Sequence, residues 1–300
     1  MRIVVAMSGG VDSSVAAAML AEQGHEVIGV SMQLYDQSDG QTAFGSCCSL
    51  DDLHDARRVA AAIAIPHYVM NFERQFDEQV VSNFVLEYTA GRTPLPCVHC
   101  NADLKFATLA ERADAFDADA LATGHYARVE RAPDGRFQLK RGVDRAKDQS
   151  YFLFSLTQSQ LARALFPVGD RSKDVVREYA RRLGLPVAGK PDSQEICFVP
   201  DDDYAAFVAS RAPGANRAGV IVDEQGRVLG GHGGIHRFTV GQRKGLGLTR
   251  SATGTPMYVL ALNPTDSQVV VGPRSSLERT TLTASRVNWI LGEPQGTLRV

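Results

Sequence analysis

Met7-Ser8-Gly9-Gly10-Val11-Asp12-Ser13-Ser14 follows the apolar run Ile3-Val4-Val5-Ala6 and precedes Val15-Ala16-Ala17-Ala18-Met19-Leu20. The first run reads as a short buried strand, and the alanine-rich run has high helix propensity. Strand, Gly-rich turn and helix in that order aim the unpaired N–H groups of a helix N-terminus at whatever sits above the turn. The helix dipole favours an anion there. Gly9 and Gly10 let the backbone approach phosphate oxygens, and the hydroxyls of Ser8, Ser13 and Ser14 are expected as further donors. No Lys follows the glycines, which separates this loop from the nucleotide loop ending in Gly-Lys-Ser/Thr. An ordinary βα turn also uses Ser and Gly. The position directly after the first strand, with Asp12 inside, favours the anion site.

The loop resembles the pyrophosphate loop of the N-type ATP pyrophosphatases, which cleave ATP to AMP and pyrophosphate while activating a carbonyl oxygen as its adenylate. That resemblance implies that Ala6, Met7, Ser8, Gly9, Gly10, Val11, Asp12, Ser13 and Ser14 hold ATP. Asp12 is then expected near the pyrophosphate with a magnesium ion, although a helix-capping carboxylate has the same signature.

Further along, Glu26–Met32, His67–Met70 and Ala120–Thr123 read as strands, with helical stretches at Asp51–Ile63 and Ala102–Ala115 between them. Phe76, Val80, Phe84, Val85 and Tyr88 recur at helical spacing and read as a core-facing stripe. This alternation predicts an α/β fold, a parallel sheet with helices on both faces, over residues 1–200. Ligands of such sheets sit at the carboxyl ends of the strands, where Ser8, Met32 and Gly124 fall. Tyr126–Lys140, with Asp134-Gly135 in its middle, reads as a hairpin, and helices are expected around Ser159–Leu165 and Lys173–Leu183. From Asp201 glycine becomes frequent and short β-like runs replace long helices. Residues 201–272 read as a small, mainly β central domain. Residues 273–300, with two strand-like stretches and Trp289, read as the start of a further β-barrel that stops mid-pattern at Val300.

The 300 residues are 44% hydrophobic and 22% charged, ordinary for a soluble globular chain. No apolar run approaches the ~20 residues that span a membrane. The first residues enter a strand directly, without a basic start and cleavage site, so a cytoplasmic protein is expected. A net charge of −2 gives no global sign of nucleic-acid binding, so any such surface is local. Arg128, Arg131, Arg136, Lys140, Arg141, Arg145 and Lys147 crowd the hairpin region against Glu130, Asp134 and Asp144, and are expected to track a phosphate backbone.

Five cysteines, Cys47, Cys48, Cys97, Cys100 and Cys197, do not suggest a disulfide framework in such a chain. Cys47-Cys48 is a vicinal pair expected to be a local packing feature. Cys100 precedes Asn101, a fitting N-cap for a helix from Ala102, and the positive end of that helix is expected to lower the thiol pKa. Cys197 stands in the polar stretch Pro191–Phe198. A lone Cys-x-x-Cys at Cys97 and Cys100 is a weak zinc signal without a second pair.

Six blocks in order now point to one family. These are Ser8–Ser14, Cys100-Asn101 before Lys105-Phe106, Thr123–Tyr126, Lys147–Tyr151, Ser193–Phe198, and Gly241–Gly247. Over nearly its whole length the chain resembles the tRNA-specific 2-thiouridylases. The resemblance implies an ATP-dependent sulfurtransferase acting on the wobble uridine of tRNA, with ATP adenylating the oxygen on carbon 2 and a persulfide on Cys197 supplying sulfur. It implies that Cys100 releases the sulfur or forms a disulfide with Cys197. Met32 and Gly124 then border the adenine and ribose, while Lys147, Asp148 and Gln149 touch tRNA. Arg243 and Lys244 belong to the domain that faces it. A persulfide carrier or cysteine desulfurase is implied as the sulfur donor.

Many members carry Asp where this chain has Cys97, in the segment that lies against the target base. Three thiolates, Cys97, Cys100 and Cys197, can hold an iron–sulfur cluster with one open iron, a minority expectation here. Two rival readings stand beside the main one. An ATP pyrophosphatase that adenylates a small molecule, in the manner of argininosuccinate synthase, needs no cysteines. A non-catalytic tRNA-binding or iron–sulfur protein releases no pyrophosphate.

Overall fold

The structure of the chain, a computed structural model, describes residues 1–35, 50–192, 196–248 and 255–298. Cys47, Cys48 and Ser193-Gln194-Glu195 lie outside the described residues. Two compact units are formed, one from Met1–Val80, Cys97–Phe198 and Arg286–Val300, the other from Val81–Pro96 and Val199–Ser285.

The first unit carries strands β1 (Arg2–Ala6), β2 (Glu26–Gln33), β3 (His67–Asn71) and β4 (Ala120–Ala122). After these come β5 (Ala127–Arg131), β6 (Phe137–Arg141) and the two-residue β7 (Ala164–Leu165). Five of them pair in parallel in the order β3-β2-β1-β4-β7. β5 and β6 form the separate antiparallel hairpin expected from Asp134-Gly135. Ile3, Val4 and Val5 are each 0% exposed, so β1 is covered on both faces, as a continuous apolar run in a parallel sheet requires.

The helices of this unit are α1 (Val11–Glu22), α2 (Leu50–Ala62) and α3 (Glu73–Phe76); α4 (Ser82–Thr89) follows in the chain but belongs to the second unit. Ile3, Val5 and Met7 of the β1 strand and loop pack with Val15, Ala16 and Ala17 of α1 and Ala56 and Val59 of α2. Val4, Ile28 and Leu121 point to the opposite face and are buried as well. There the chain runs as α5 (Pro96–His99), a π-helical stretch Cys100–Leu109 and α6 (Ala110–Asp114), with Leu104 and Leu109 buried. α7 (Gln158–Arg163) and α8 (Lys173–Arg182) complete the unit, and Val176 and Ala180 of α8 join the core around α1.

Chain order reverses between β1 and β4: β2 and β3 extend the sheet to one side, then the chain crosses to the other. The crevice beyond the carboxyl ends at that reversal is where open α/β sheets hold ligands. The loop after β1 and Gly124 after β4 both stand there.

Several expectations are corrected. The helix expected through Leu165 ends at Arg163, because Ala164 and Leu165 pair with Leu121 and Ala122 as β7. Two residues are too few to show a strand period. Phe76, Val80, Phe84 and Tyr88 are buried as the stripe predicts, but a π turn at Asp77–Val81 divides the helix that carries them.

The second unit has strands β8 (Gly219–Val222), β9 (Val228–His232), β10 (Tyr258–Asn263) and β11 (Gln268–Gly272), in the order β10-β11-β8-β9. β8 and β11 are parallel, and the other two pairs are antiparallel. Ile221, Ile235, Phe238, Val259, Val269 and Val271 fill its core. This unit also includes α9 (Tyr204–Arg211), packed against α4 through Phe84 and Phe207 and through stacked Tyr88 and Tyr204. The β texture after Asp201 gave no sign that Val81–Pro96 belongs here. Among the described residues after 272 there is one short turn, Arg274–Leu277, and no strand. The two strand-like stretches expected there find no pairing partner, and a strand without a ladder does not form. Asn288 instead donates to the carbonyls of Phe154 and Leu156 in the first unit.

Candidate active site

Gly10 is the N-cap of α1 and has no side chain to satisfy the first-turn N–H groups, which helix geometry leaves without an internal carbonyl. The turn therefore presents N–H donors beside the positive end of a 12-residue helix. The serines divide differently from expectation. Ser14 is fully buried and its hydroxyl donates to the Gly10 carbonyl at 2.8 Å. Ser13 Oγ accepts from the Ser8 N–H at 3.2 Å and donates to the same carbonyl at 3.3 Å. These two hydroxyls shape the loop, and Ser8 alone of the three is exposed.

The loop is braced from both sides. Gly9 has φ +73°, and a Cβ there would lie 2.2 Å from the Asp52 carbonyl oxygen of α2. Lys190 Nζ donates to the Gly9 carbonyl at 3.2 Å and pairs with Asp52 at 2.5 Å and Asp55 at 2.6 Å. Burial opposes the Lys190 charge, but its hydrogen bonds to the two carboxylates outweigh that and raise its pKa. On the other side, a Cβ on Gly124 would sit 2.4 Å from Ser13 N and 2.7 Å from Asp12 C. Met32, 7% exposed, lies near the carboxyl end of β2 opposite Met70. Just past β4, His125 Nδ1 lies 2.7 Å from Thr123 Oγ1. Burial, with Lys105 nearby, holds the His125 pKa well below the ordinary histidine value.

Asp12 sits in an ion-pair network with no trace in local sequence. Its Oδ1 accepts from the Tyr126 hydroxyl and from Lys173 Nζ, and its Oδ2 from Lys173 Nζ, each at 2.8 Å. Lys173 also pairs with Asp192 at 2.7 Å, and Asp192 takes Lys147 at 2.7 Å and Arg177 at 2.8 Å. Burial pushes the Asp192 carboxyl up, but hydrogen bonds from Lys147 and Lys173 win and bring it to about 2. Both Asp12 oxygens are thus engaged by donors. Among the described residues no group of three or more His, Cys, Asp or Glu is placed to hold a metal ion. The donor set does not fit a magnesium ion anchored on Asp12.

The cysteine region differs from expectation in one respect. Pro96 opens the helix at α5, so Cys97 lies in its first turn and Cys100 follows as the chain continues into the π-helical stretch. Asn101 is not an N-cap. It is 2% exposed, donates toward the Phe152 carbonyl at 3.5 Å, and accepts from Lys105 Nζ at 2.9 Å. Pro at the first helical position carried that signal. The positive end of that helix therefore lies nearer Cys97 than Cys100.

Cys97 is exposed, Cys100 and Cys197 are half-buried, and none is disulfide-bonded. Among the described residues the three thiols are not gathered into one metal-ligand group. Phe198 packs edge-on against Phe76 at 5.4 Å, and α3, which carries Phe76, contacts the Cys100–Leu109 stretch. Cys197 also follows Asp192 by five residues, a span of at most about 18 Å. Phe198, the neighbour of Cys197, thus lies beside α3, the helix that follows β3.

Lys147, Asp148 and Gln149 have internal partners. Asp148 accepts from Gly142 N and from Ser150, and Gln149 Oε1 accepts from Tyr126 N at 3.0 Å. On the hairpin, Arg128 and Lys140 pair with Glu130, and Arg136 with Asp134, so much of the expected positive excess is internally matched. Arg141 and Arg145 are exposed. In the second unit Arg243 and Lys244 are exposed in a turn closed by Gly245 and Gly247, at φ +75° and +66°. The contacts of Tyr126, Lys173, Lys190 and Asp192 around the loop are not legible in the sequence, because each takes its partners from distant segments.

Residues 1–201 match the model of the tRNA methyl transferase HUP domain, and residues 205–273 that of the tRNA methyl transferase PRC-barrel domain. A tRNA-specific 2-thiouridylase MnmA of Geotalea uraniireducens is 54% identical over 98% of this chain and 79% of its own length. Proteins of the same name from Geobacter metallireducens and Solibacter usitatus are 55% and 56% identical, over 99% and 96% of this chain and 81% and 80% of theirs. Among solved structures, a 4-thiouridine synthetase in complex with RNA and ATP is similar at TM-score 0.40 and 15% identity, over 71% of this chain and 50% of that one. A likeness that weak adds nothing to the sequence match.

Proposed function

The chain belongs to the family of tRNA-specific 2-thiouridylases, and from that premise we propose how its own residues exchange oxygen for sulfur on the wobble uridine of tRNA. ATP lies with its phosphates over Ser8–Ser14, against the N–H groups that Gly10 leaves uncapped. The oxygen on carbon 2 of the base attacks the α-phosphorus and expels pyrophosphate, which turns a poor leaving group into AMP. The outer sulfur of a persulfide on Cys197 then attacks carbon 2, and AMP departs with the carbon–oxygen bond pair. Cys100 thiolate attacks the inner Cys197 sulfur, forming a Cys100–Cys197 disulfide and leaving the second sulfur on the base. An external thiol reductant restores the pair. In the alternative order, Cys100 first releases hydrosulfide from the persulfide, and the hydrosulfide attacks.

The observation that carries this reading is the uncapped loop after β1 at the carboxyl edge of the sheet, whose Asp12 is tied through Lys173 to Asp192, five residues before Cys197 in the chain. A persulfide carrier or cysteine desulfurase loads Cys197, and the work is done in the cytoplasm with tRNA. Among the described residues no helix is long and apolar enough to cross a membrane. Magnesium enters as the counter-ion of ATP rather than on a dedicated ligand set. A small-molecule adenylating enzyme is disfavoured, since it has no use for the two cysteines.

The test is mass spectrometry of tRNA incubated with protein, ATP, magnesium and a sulfide source. One sulfur for one oxygen at the wobble uridine is expected, with Cys100→Ser and Cys197→Ser each inactive. Full turnover in either variant refutes the assignment of the thiols.

A further inference from the structure

Lys173 is 7% exposed, and the sulfur chemistry above gives it no part. It is the first residue of α8, and its placement is fixed on every side. Ser172 caps the helix by accepting from Val175 N, and the Lys173 N–H donates to Asp144 Oδ2 at 2.9 Å. An ammonium has three donors. Here the contacts run to Asp12 Oδ1, Asp12 Oδ2 and Asp192 Oδ1, at 2.8, 2.8 and 2.7 Å. One buried cation is therefore divided between Asp12 of the loop after β1 and Asp192, which stands five residues before Cys197 in the chain.

We propose that Lys173 is a positioning residue that couples the pyrophosphate loop to the Cys197 segment, so that sulfur is delivered in register with adenylation. The inference rests on the thiolation reading and adds a residue to it. Around this point Asp12, Asp144 and Asp192 face Lys147, Lys173 and Arg177, an even balance of charge. A triphosphate arriving over the loop adds negative charge beside Asp12, and Lys173 is the cation bonded to Asp12. Any shift of the ammonium toward the phosphates weakens its hold on Asp192. The hold of Lys147 and Arg177 on Asp192 keeps that carboxylate paired meanwhile, so the movement does not strand a buried charge. Lys173 forms and breaks no bond of the reaction.

The experiment measures pyrophosphate release and 2-thiouridine formation separately, with full-length protein, tRNA, ATP and a sulfide source. In Lys173→Met the ratio of pyrophosphate to thiouridine is expected to rise by up to about a hundredfold, the cost of a ~1 Å misplacement of an oriented group. Asp192→Asn, which does not touch the loop, is expected to raise the ratio in the same direction, and Lys173→Arg to restore part of the coupling. Lys173→Met/Asp192→Asn removes one charge of each sign and serves as the folded variant if Lys173→Met alone is unstable. An unchanged ratio in the folded variants, with both products falling together, overturns the proposal. Absence of tRNA-stimulated pyrophosphate release in the unaltered protein refutes the thiolation reading itself, which is a different result.

Discussion

Gly124→Ala is the sharpest perturbation of the nucleotide crevice. The added methyl would lie 2.4 Å from Ser13 N, 2.7 Å from Asp12 C and 2.9 Å from Ser13 Cα. Ordinary contact begins near 3.4 Å, so β4 and the first turn of α1 must part by about 1 Å (3.4 − 2.4). All three atoms are backbone, and no side-chain rotation relieves them. Nor can α1 retreat easily, because Val15, Ala16 and Ala17 are each 0% exposed against the sheet and α8. Overpacking of this kind costs about 1–3 kcal/mol, and the rigid surroundings put it toward the upper end. The displaced turn is the one that carries the anion-binding N–H groups, and misplacement by ~1 Å costs about a hundredfold in an oriented reaction. Urea denaturation and tRNA-dependent pyrophosphate release measure the two effects on the same sample. Gly10→Ala is the control, since its Cβ meets only Ser8 Oγ at 3.6 Å and φ is −88°. It should keep its denaturation midpoint while obstructing the phosphates. A Gly124→Ala protein with the original midpoint and the original rate would show that the crevice is not shaped by this contact.

Gly9→Ala combines φ +73° with a 2.2 Å approach to the Asp52 carbonyl, so it should lose at least the ~1–2 kcal/mol of a left-handed residue, read by thermal or urea denaturation. Tyr126→Phe removes one donor from Asp12 but leaves Lys173 on the same oxygen, so a loss of about 1 kcal/mol is expected rather than collapse. The Asp192 carboxyl, held at about 2 in the folded chain, gives stability that is full above the unfolded value near ~4 and is lost as pH falls toward 2. Asp192→Asn should flatten the denaturation midpoint over that acid range. Replacing exposed Arg141 and Arg145 by Gln should weaken binding of all tRNAs alike and reduce the salt slope by about 1.4, taking ~0.7 per single-strand phosphate contact. An unchanged slope removes them from the RNA track.

The sequence by itself determined the βα turn at Ser8–Ser14, the parallel alternation through Thr123 and the hairpin at Asp134-Gly135. Each of these is written in residues that lie next to one another or recur at a fixed period, and local propensity reads such patterns directly. It missed β7, because two residues show no period, and it placed a helix start at Asn101 although Pro96 already opens one. Only the tertiary structure decided what surrounds Asp12 and Gly9. Lys173 reaches Asp12 across 161 residues, and Lys190 reaches the Gly9 carbonyl across 181. It also turned Ser13 and Ser14 inward and set Gly124 against the first turn of α1. No propensity or spacing encodes these partners. They meet because an open sheet returns distant chain segments to one carboxyl edge, and burial there leaves each charge stable only beside its opposite.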